Sequence, residues 1–340
     1  MTSTRLQWMD AARGLGIILV VAGHAERGIV SAGIALSPAW KIFDIWLYTF
    51  HMPLFMLLAG LNIPASLAKG RRLFLESKGW TIVYPYFLWS LIQGGILLIF
   101  GGMTNGHLSW LQLLTIAWVP ISPFWFLYAL FIFSMIVLFM YNDYVLLIGA
   151  TLGLFASSYV HGDSLLHQLL YQFSFFFIGV KSANYLKTTT LPRFTWLVCG
   201  VLWLVAVQFV PIQGLTPYLT PIAFPAGLAG IMTVLALAQA CRGIILNGLA
   251  ILGQASMAIY VMHILGTAGT RIALSKAHLA LSGVAVWLVC IVVGVVGPLM
   301  VWWVLRRVNG LHWLGLASPA KRFHNHEAGS ATADPAQRRH

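Results

Sequence analysis

Charge is what this sequence has least of. Asp, Glu, Lys and Arg together supply 8% of its 340 residues, hydrophobic residues supply 59%, and the mean hydropathy is +0.85. A soluble fold of this size needs roughly a quarter of its residues charged to cover its surface. A water-facing globule is therefore excluded, and lipid is the solvent. Disorder is excluded too, because a disordered chain needs low hydrophobicity. Carboxylates are scarcer than cations, 8 against 20 basic residues, for a net charge of +12. That surplus does not point to nucleic acid. The cations are scattered between long apolar runs, which is the pattern of membrane topology.

Cysteine is nearly missing as well. Cys199, Cys241 and Cys290 lie in or beside apolar stretches without CxxC spacing, so neither a disulfide framework nor a zinc site is expected, and no metal is called for. No internal repeat and no added soluble domain can be detected. The first apolar stretch, from about Gly14, contains His24 and has no convincing small-residue cleavage site before Glu26. It reads as a retained span and not as a secretory signal.

What is present is a succession of apolar segments. A helix crosses the hydrocarbon in about 20 residues, and on that ruler ten spans are expected: 12–30, 42–64, 80–100, 123–140, 144–160, 165–181, 195–211, 219–240, 249–269 and 279–305. The expected fold class is all-α, a polytopic bundle occupying residues 1–316, with a short basic tail, 317–340, expected to be disordered. Ten spans put both termini on one side. Fifteen basic residues fall on that side and four on the other, so both termini are expected in the cytoplasm.

Ionisable groups inside a bilayer are costly and become functional candidates. His24, His51 and His263 each lie 13 or 14 residues from the cytoplasmic end of their spans, or about 20 Å deep at 1.5 Å per residue. Arg13 and His24 are 11 residues apart, close to three turns, and so share a helix face. Ser256, Tyr260 and His263 form a polar stripe at i, i+4 and i+7. An intramembrane histidine also serves as a plain interhelical hydrogen-bonder, and Arg13 can simply pair with Asp10 one turn away. Between spans, the densest cationic segment runs from Lys69 through Arg71 and Arg72 to Lys78. It reads either as topology control and anionic-lipid contact or as a phosphate site, since arginine offers a planar fork to phosphate oxygens. Trp125, in Ser122-Pro123-Phe124-Trp125-Phe126-Leu127, reads first as an interfacial anchor.

The opening Asp10-Ala11-Ala12-Arg13-Gly14 through Ala22-Gly23-His24 resembles the start of the acyltransferase-3 family of membrane proteins, whose basic residue is followed by a histidine as Arg13 is by His24. Phe50-His51-Met52-Pro53-Leu54-Phe55 resembles another block of that family, in wording closest to the fucose 4-O-acetylase-like sugar acetyltransferases. Arg71-Arg72 leading to Pro85-Tyr86, Phe124-Trp125-Phe126-Leu127, and Ser256 through Tyr260 to His263 follow in family order, so the likeness covers residues 10 to about 265.

This resemblance implies acyl transfer, usually acetyl, from cytoplasmic acetyl-CoA or another acyl-CoA to a hydroxyl of a glycan or lipid-linked sugar, in the bacterial cytoplasmic membrane. It makes His24 the catalytic histidine and Arg13 its partner, and it assigns Arg71 and Arg72 to the CoA phosphates. His51, Ser256, Tyr260, His263 and Trp125 remain candidates for orienting the base, holding the oxyanion or contacting substrate. Membrane lipid and polysaccharide-assembly proteins are the expected partners. Histidine suits the work of a general base, being largely neutral at working pH; a covalent acetyl-histidine is the alternative chemistry. A transporter or flippase using the same groups for proton relay is the alternative function.

Overall fold

The computed structural model describes residues 6–101, 108–121, 123–140, 142–212, 216–278 and 281–317. The segment expected to be a tail lies, apart from Ala317, outside the described residues. Helices follow one another in the order α1 (Gln7–Ser31), α2 (Ala39–Tyr48), α3 (His51–Gly60), α4 (Ile63–Leu67), α5 (Arg71–Lys78), α6 (Tyr84–Phe100), α7 (Trp110–Leu114), α8 (Trp125–Phe139), α9 (Asp143–Ala156), α10 (Leu165–Thr188), α11 (Thr195–Ala206), α12 (Phe224–Ala240), α13 (Gly243–Gln254), α14 (Ser256–Lys276) and α15 (Gly283–Arg307). No strand occurs among the described residues. Among the described residues six helical runs are long and apolar enough to cross a membrane, and four shorter apolar helices accompany them. The all-helical, multi-pass expectation holds.

Two spans differ in build from the sequence reading. The segment 249–269 is not one span but the junction of α13 and α14, which meet at Ala255. The third span starts earlier than residue 80, because α5 passes through a π-helical turn (Gly79–Val83) into α6 as one run, Arg71–Ile99. Proline accounts for that turn. Pro85 cannot donate to the carbonyl four residues back, and the helix widens there. Pro53 has a similar effect in the second span, leaving the Thr49 carbonyl without its helical donor, and the chain kinks between α2 and α3. The fifth and sixth spans separate as expected, at Gly162, where φ is +81°.

Packing is closest where glycine allows backbone to touch backbone, as small residues do between membrane helices. A Cβ on Gly14 would stand 2.0 Å from the Leu249 carbonyl oxygen, and one on Gly253 1.7 Å from that of Asp10, so α1 and α13 are in direct contact. Gly60 and Gly179 bring α3 and α10 together in the same way. Buried aromatics, Phe124, Phe133, Tyr171, Phe175 and Phe176 among them, fill the centre. Large apolar side chains such as Val198, Leu202, Leu288 and Val292 face outward on α11 and α15, as a lipid-solvated surface requires.

Candidate active site

Three helices bring the intramembrane histidines together. The rings of His24 on α1 and His263 on α14 have centroids 5.0 Å apart. Tyr48, at the end of α2, lies 6.4 Å from His24 and meets His51 edge-on at 4.4 Å. The kink before Pro53 places His51 at the first turn of α3, directly beside Tyr48.

His51 and His263 are held alike. Nδ1 of His51 is 2.7 Å from the Leu47 carbonyl oxygen, and Nδ1 of His263 is 2.7 Å from that of Tyr260. A carbonyl only accepts, so Nδ1 carries the proton in each ring and Nε2 presents a lone pair. Both Nε2 atoms are buried without a hydrogen-bond partner among the described residues. His24 differs from both. It is half-buried, makes no hydrogen bond to the described residues, and borders open space.

That space consists of two cavities, of about 780 Å³ and about 470 Å³, which share His24, Arg27, Val119 and Pro120. The larger is walled mainly by apolar side chains, including Ile96, Leu97, Ile121, Leu265 and Ile272, with Arg271 also lining it. The smaller is hydroxyl- and amide-rich, lined by His51, Trp125, Asp163, Gln168, Gln172 and Tyr218 among others. His24 stands where they join.

Sequence reasoning missed Arg27. One turn beyond His24, its guanidinium forks onto both oxygens of Asp44 at 2.7 and 3.0 Å, donates to Tyr218 Oη at 3.2 Å, and lies 3.3 Å from the centroid of Tyr48. This clamp ties α1 to α2 and to the Tyr218 turn, fixing the Tyr48 ring over which His51 packs. Its position at i+3 from His24 was a usable signal, since that spacing shares a face. Gln168 and Gln172 were missed for another reason: a glutamine on a helix announces nothing until its neighbours are known.

The other sequence candidates scatter. Tyr260 lines the smaller cavity, but its hydroxyl donates to the Pro123 carbonyl at 2.6 Å, bracing the segment that carries Trp125. Ser256, two turns from His263, lines neither cavity. Arg71 and Arg72 start α5 at the surface, where Arg72, 88% exposed, pairs with Glu76 at 2.9 Å. Arg13 pairs with buried Asp10 at 2.9 Å. Between Arg13 and His24, Ile17 and Val20 occupy the same face of α1 and are each 1% exposed, so the lane joining the two is filled. Near Arg13 stands Lys187, another residue missed. Burial first, and then the charge of Arg13, hold its ammonium pKa below the usual lysine value.

A family profile described as "Acyltransferase domain" matches residues 6–303. The nodulation protein NolL of Mesorhizobium japonicum is 28% identical over 139 residues, which is 38% of this chain and 35% of that protein. The similarity thus spans about a third of the relative's length. No solved structure matches this chain.

Proposed function

The chain belongs to the acyltransferase family whose domain covers residues 6–303, and from that premise we propose that it moves an acyl group, usually acetyl, from cytoplasmic acyl-CoA to a sugar hydroxyl. The acceptor is a cell-surface polysaccharide or its lipid-linked precursor, and the larger apolar cavity favours the lipid-linked form. The setting is the bacterial cytoplasmic membrane, with both termini in the cytoplasm. The observation that carries this reading is the place of His24, free of hydrogen bonds to the described residues at the junction of the two cavities.

His24 acts as the general base. It takes the proton as the acceptor oxygen bonds to the thioester carbonyl carbon. The tetrahedral intermediate then expels the CoA thiolate, and the His24 imidazolium returns the proton to that sulfur. The lone pair on His263 Nε2, partnerless and close to His24, is suited to accept an N–H from the imidazolium while it exists, as the third member of a catalytic triad does. His51 and the Arg27–Asp44–Tyr48 clamp hold the other wall in place. In this reading Arg71 and Arg72 take the CoA phosphates, and Arg13 with neighbouring Lys187 is a second cationic point. Since Ile17 and Val20 fill the face between, Arg13 acts on the donor's anionic portion and not on the reacting atoms.

The test is release of free thiol from acetyl-CoA by purified protein in detergent, with a glycan acceptor present. Release should depend on acceptor and fall by at least about a hundredfold in His24→Ala; turnover undiminished by that substitution refutes the role of His24. Labelled acetyl retained on denatured protein without acceptor would replace the general-base route by an acetyl-histidine.

A further inference from the structure

The smaller cavity carries two features that acyl transfer as such does not need. Gln168 and Gln172 stand one turn apart on the same face of α10 and both are buried. The Oε1 atom of each is buried with no hydrogen-bond partner among the described residues. A buried amide oxygen left empty is unfavourable, and native proteins rarely keep one unless something fills it. Both residues line the smaller cavity.

Their surroundings are organised to hold them there. Gln168 Nε2 donates to Asp163 Oδ1 at 2.8 Å. His167, also buried, contacts the Gly162 carbonyl at 2.9 Å and the Leu219 carbonyl at 3.0 Å. It thereby joins the two turns that present Asp163 and Tyr218 to the cavity. Trp125 adds an aromatic side chain to the same lining. The lining therefore combines amide and carboxylate groups with the indole of Trp125, and His24 belongs to it.

We infer that this cavity is the acceptor's sugar subsite, in which Gln168 Oε1, Gln172 Oε1 and Asp163 accept hydrogen bonds from the ring hydroxyls not being acylated, while an apolar face of the ring covers Trp125. The inference rests on the acyl-transfer reading for the identity of the acceptor, but not for binding itself. A polyhydroxylated pyranose satisfies several fixed acceptors at once; a simple alkanol or the end of a fatty chain satisfies one at most. A site built to bond a substrate hydroxyl rejects an analogue lacking it strongly, because the buried partner is then stranded. Gln168 and Gln172 thus set which sugar and which orientation present a hydroxyl to His24.

Saturation-transfer NMR of the whole protein in detergent, with a panel of methyl mono- and disaccharide glycosides and no acyl-CoA, tests this. At least one glycoside should receive saturation, and its singly deoxygenated analogues should compete at least tenfold more weakly. Gln168→Leu and Gln172→Leu should each weaken binding at least tenfold; the near-isosteric Gln172→Glu, checked for an unchanged unfolding temperature, should change which deoxy analogue is rejected. No glycoside contact with the native protein, or binding indifferent to all three substitutions, overturns the subsite. Glutamine-dependent binding without any acyl transfer from acetyl-CoA would leave the subsite standing and refute the acyl-transfer reading instead.

Discussion

The imidazoles of His24 and His263 lie 5.0 Å apart on neighbouring helices, and they are not equivalent: His263 is fixed by two backbone carbonyls while His24 has no such tether. One ring is a fixed acceptor and the other is free to take up and release a proton. His24→Ala should lower thiol release by about 10²–10⁴-fold with little change in unfolding temperature. His263→Gln should cost less. Losing one hydrogen bond to a transient cation is worth about 1.5–3 kcal/mol, or roughly ten- to a hundredfold in rate. Equal losses in the two variants would mean that the assignment of roles is wrong.

Arg27 and Asp44 should behave as a unit. Their side chains are 35% and 20% exposed, so solvent screens part of the attraction, yet the fork geometry and the Tyr48 ring remain. A double-mutant cycle of Arg27→Gln and Asp44→Asn on thermal stability is expected to give a coupling of about 1–2 kcal/mol. Arg27→Lys should recover only part of it, because an ammonium cannot fork. Strictly additive effects would show that the clamp contributes nothing.

Gly253→Ala tests the contact of α1 with α13. A methyl group 1.7 Å from the Asp10 carbonyl oxygen must push one backbone away. Overpacking of this kind costs about 1–3 kcal/mol or more. A lower unfolding temperature is expected, together with reduced activity through displacement of Arg13. Gly248→Ala on the same helix has open space around its Cβ and should be neutral; similar effects at both positions would contradict the packing.

Lys187 reports on Arg13. Since the positive charge of Arg13 lowers the Lys187 pKa, removing that charge raises it and leaves less free amine at a given pH. Arg13→Gln should therefore slow modification of Lys187 by an amine-reactive reagent near pH 9, read by peptide mass spectrometry. An unchanged rate would separate the two residues.

Composition alone settled the solvent, because 8% charge cannot cover a water-facing surface. Apolar run length then gave the all-helical, multi-pass class, and burial cost marked His24, His51 and His263, since an imidazole in hydrocarbon is conspicuous wherever it falls in the chain. Local rules reached less far at the joints. The pattern merged α13 with α14 because both are apolar, and nothing in residue order says that Gly253 lies against Asp10. What only the tertiary structure decided is which side chains share a space. Arg27 meets Asp44 and Tyr218 across 17 and 191 residues. Gln168 and Gln172 become binding candidates only when a cavity opens in front of them. Periodicity places a residue on a face of its own helix; which helix stands opposite is set by packing over the whole bundle.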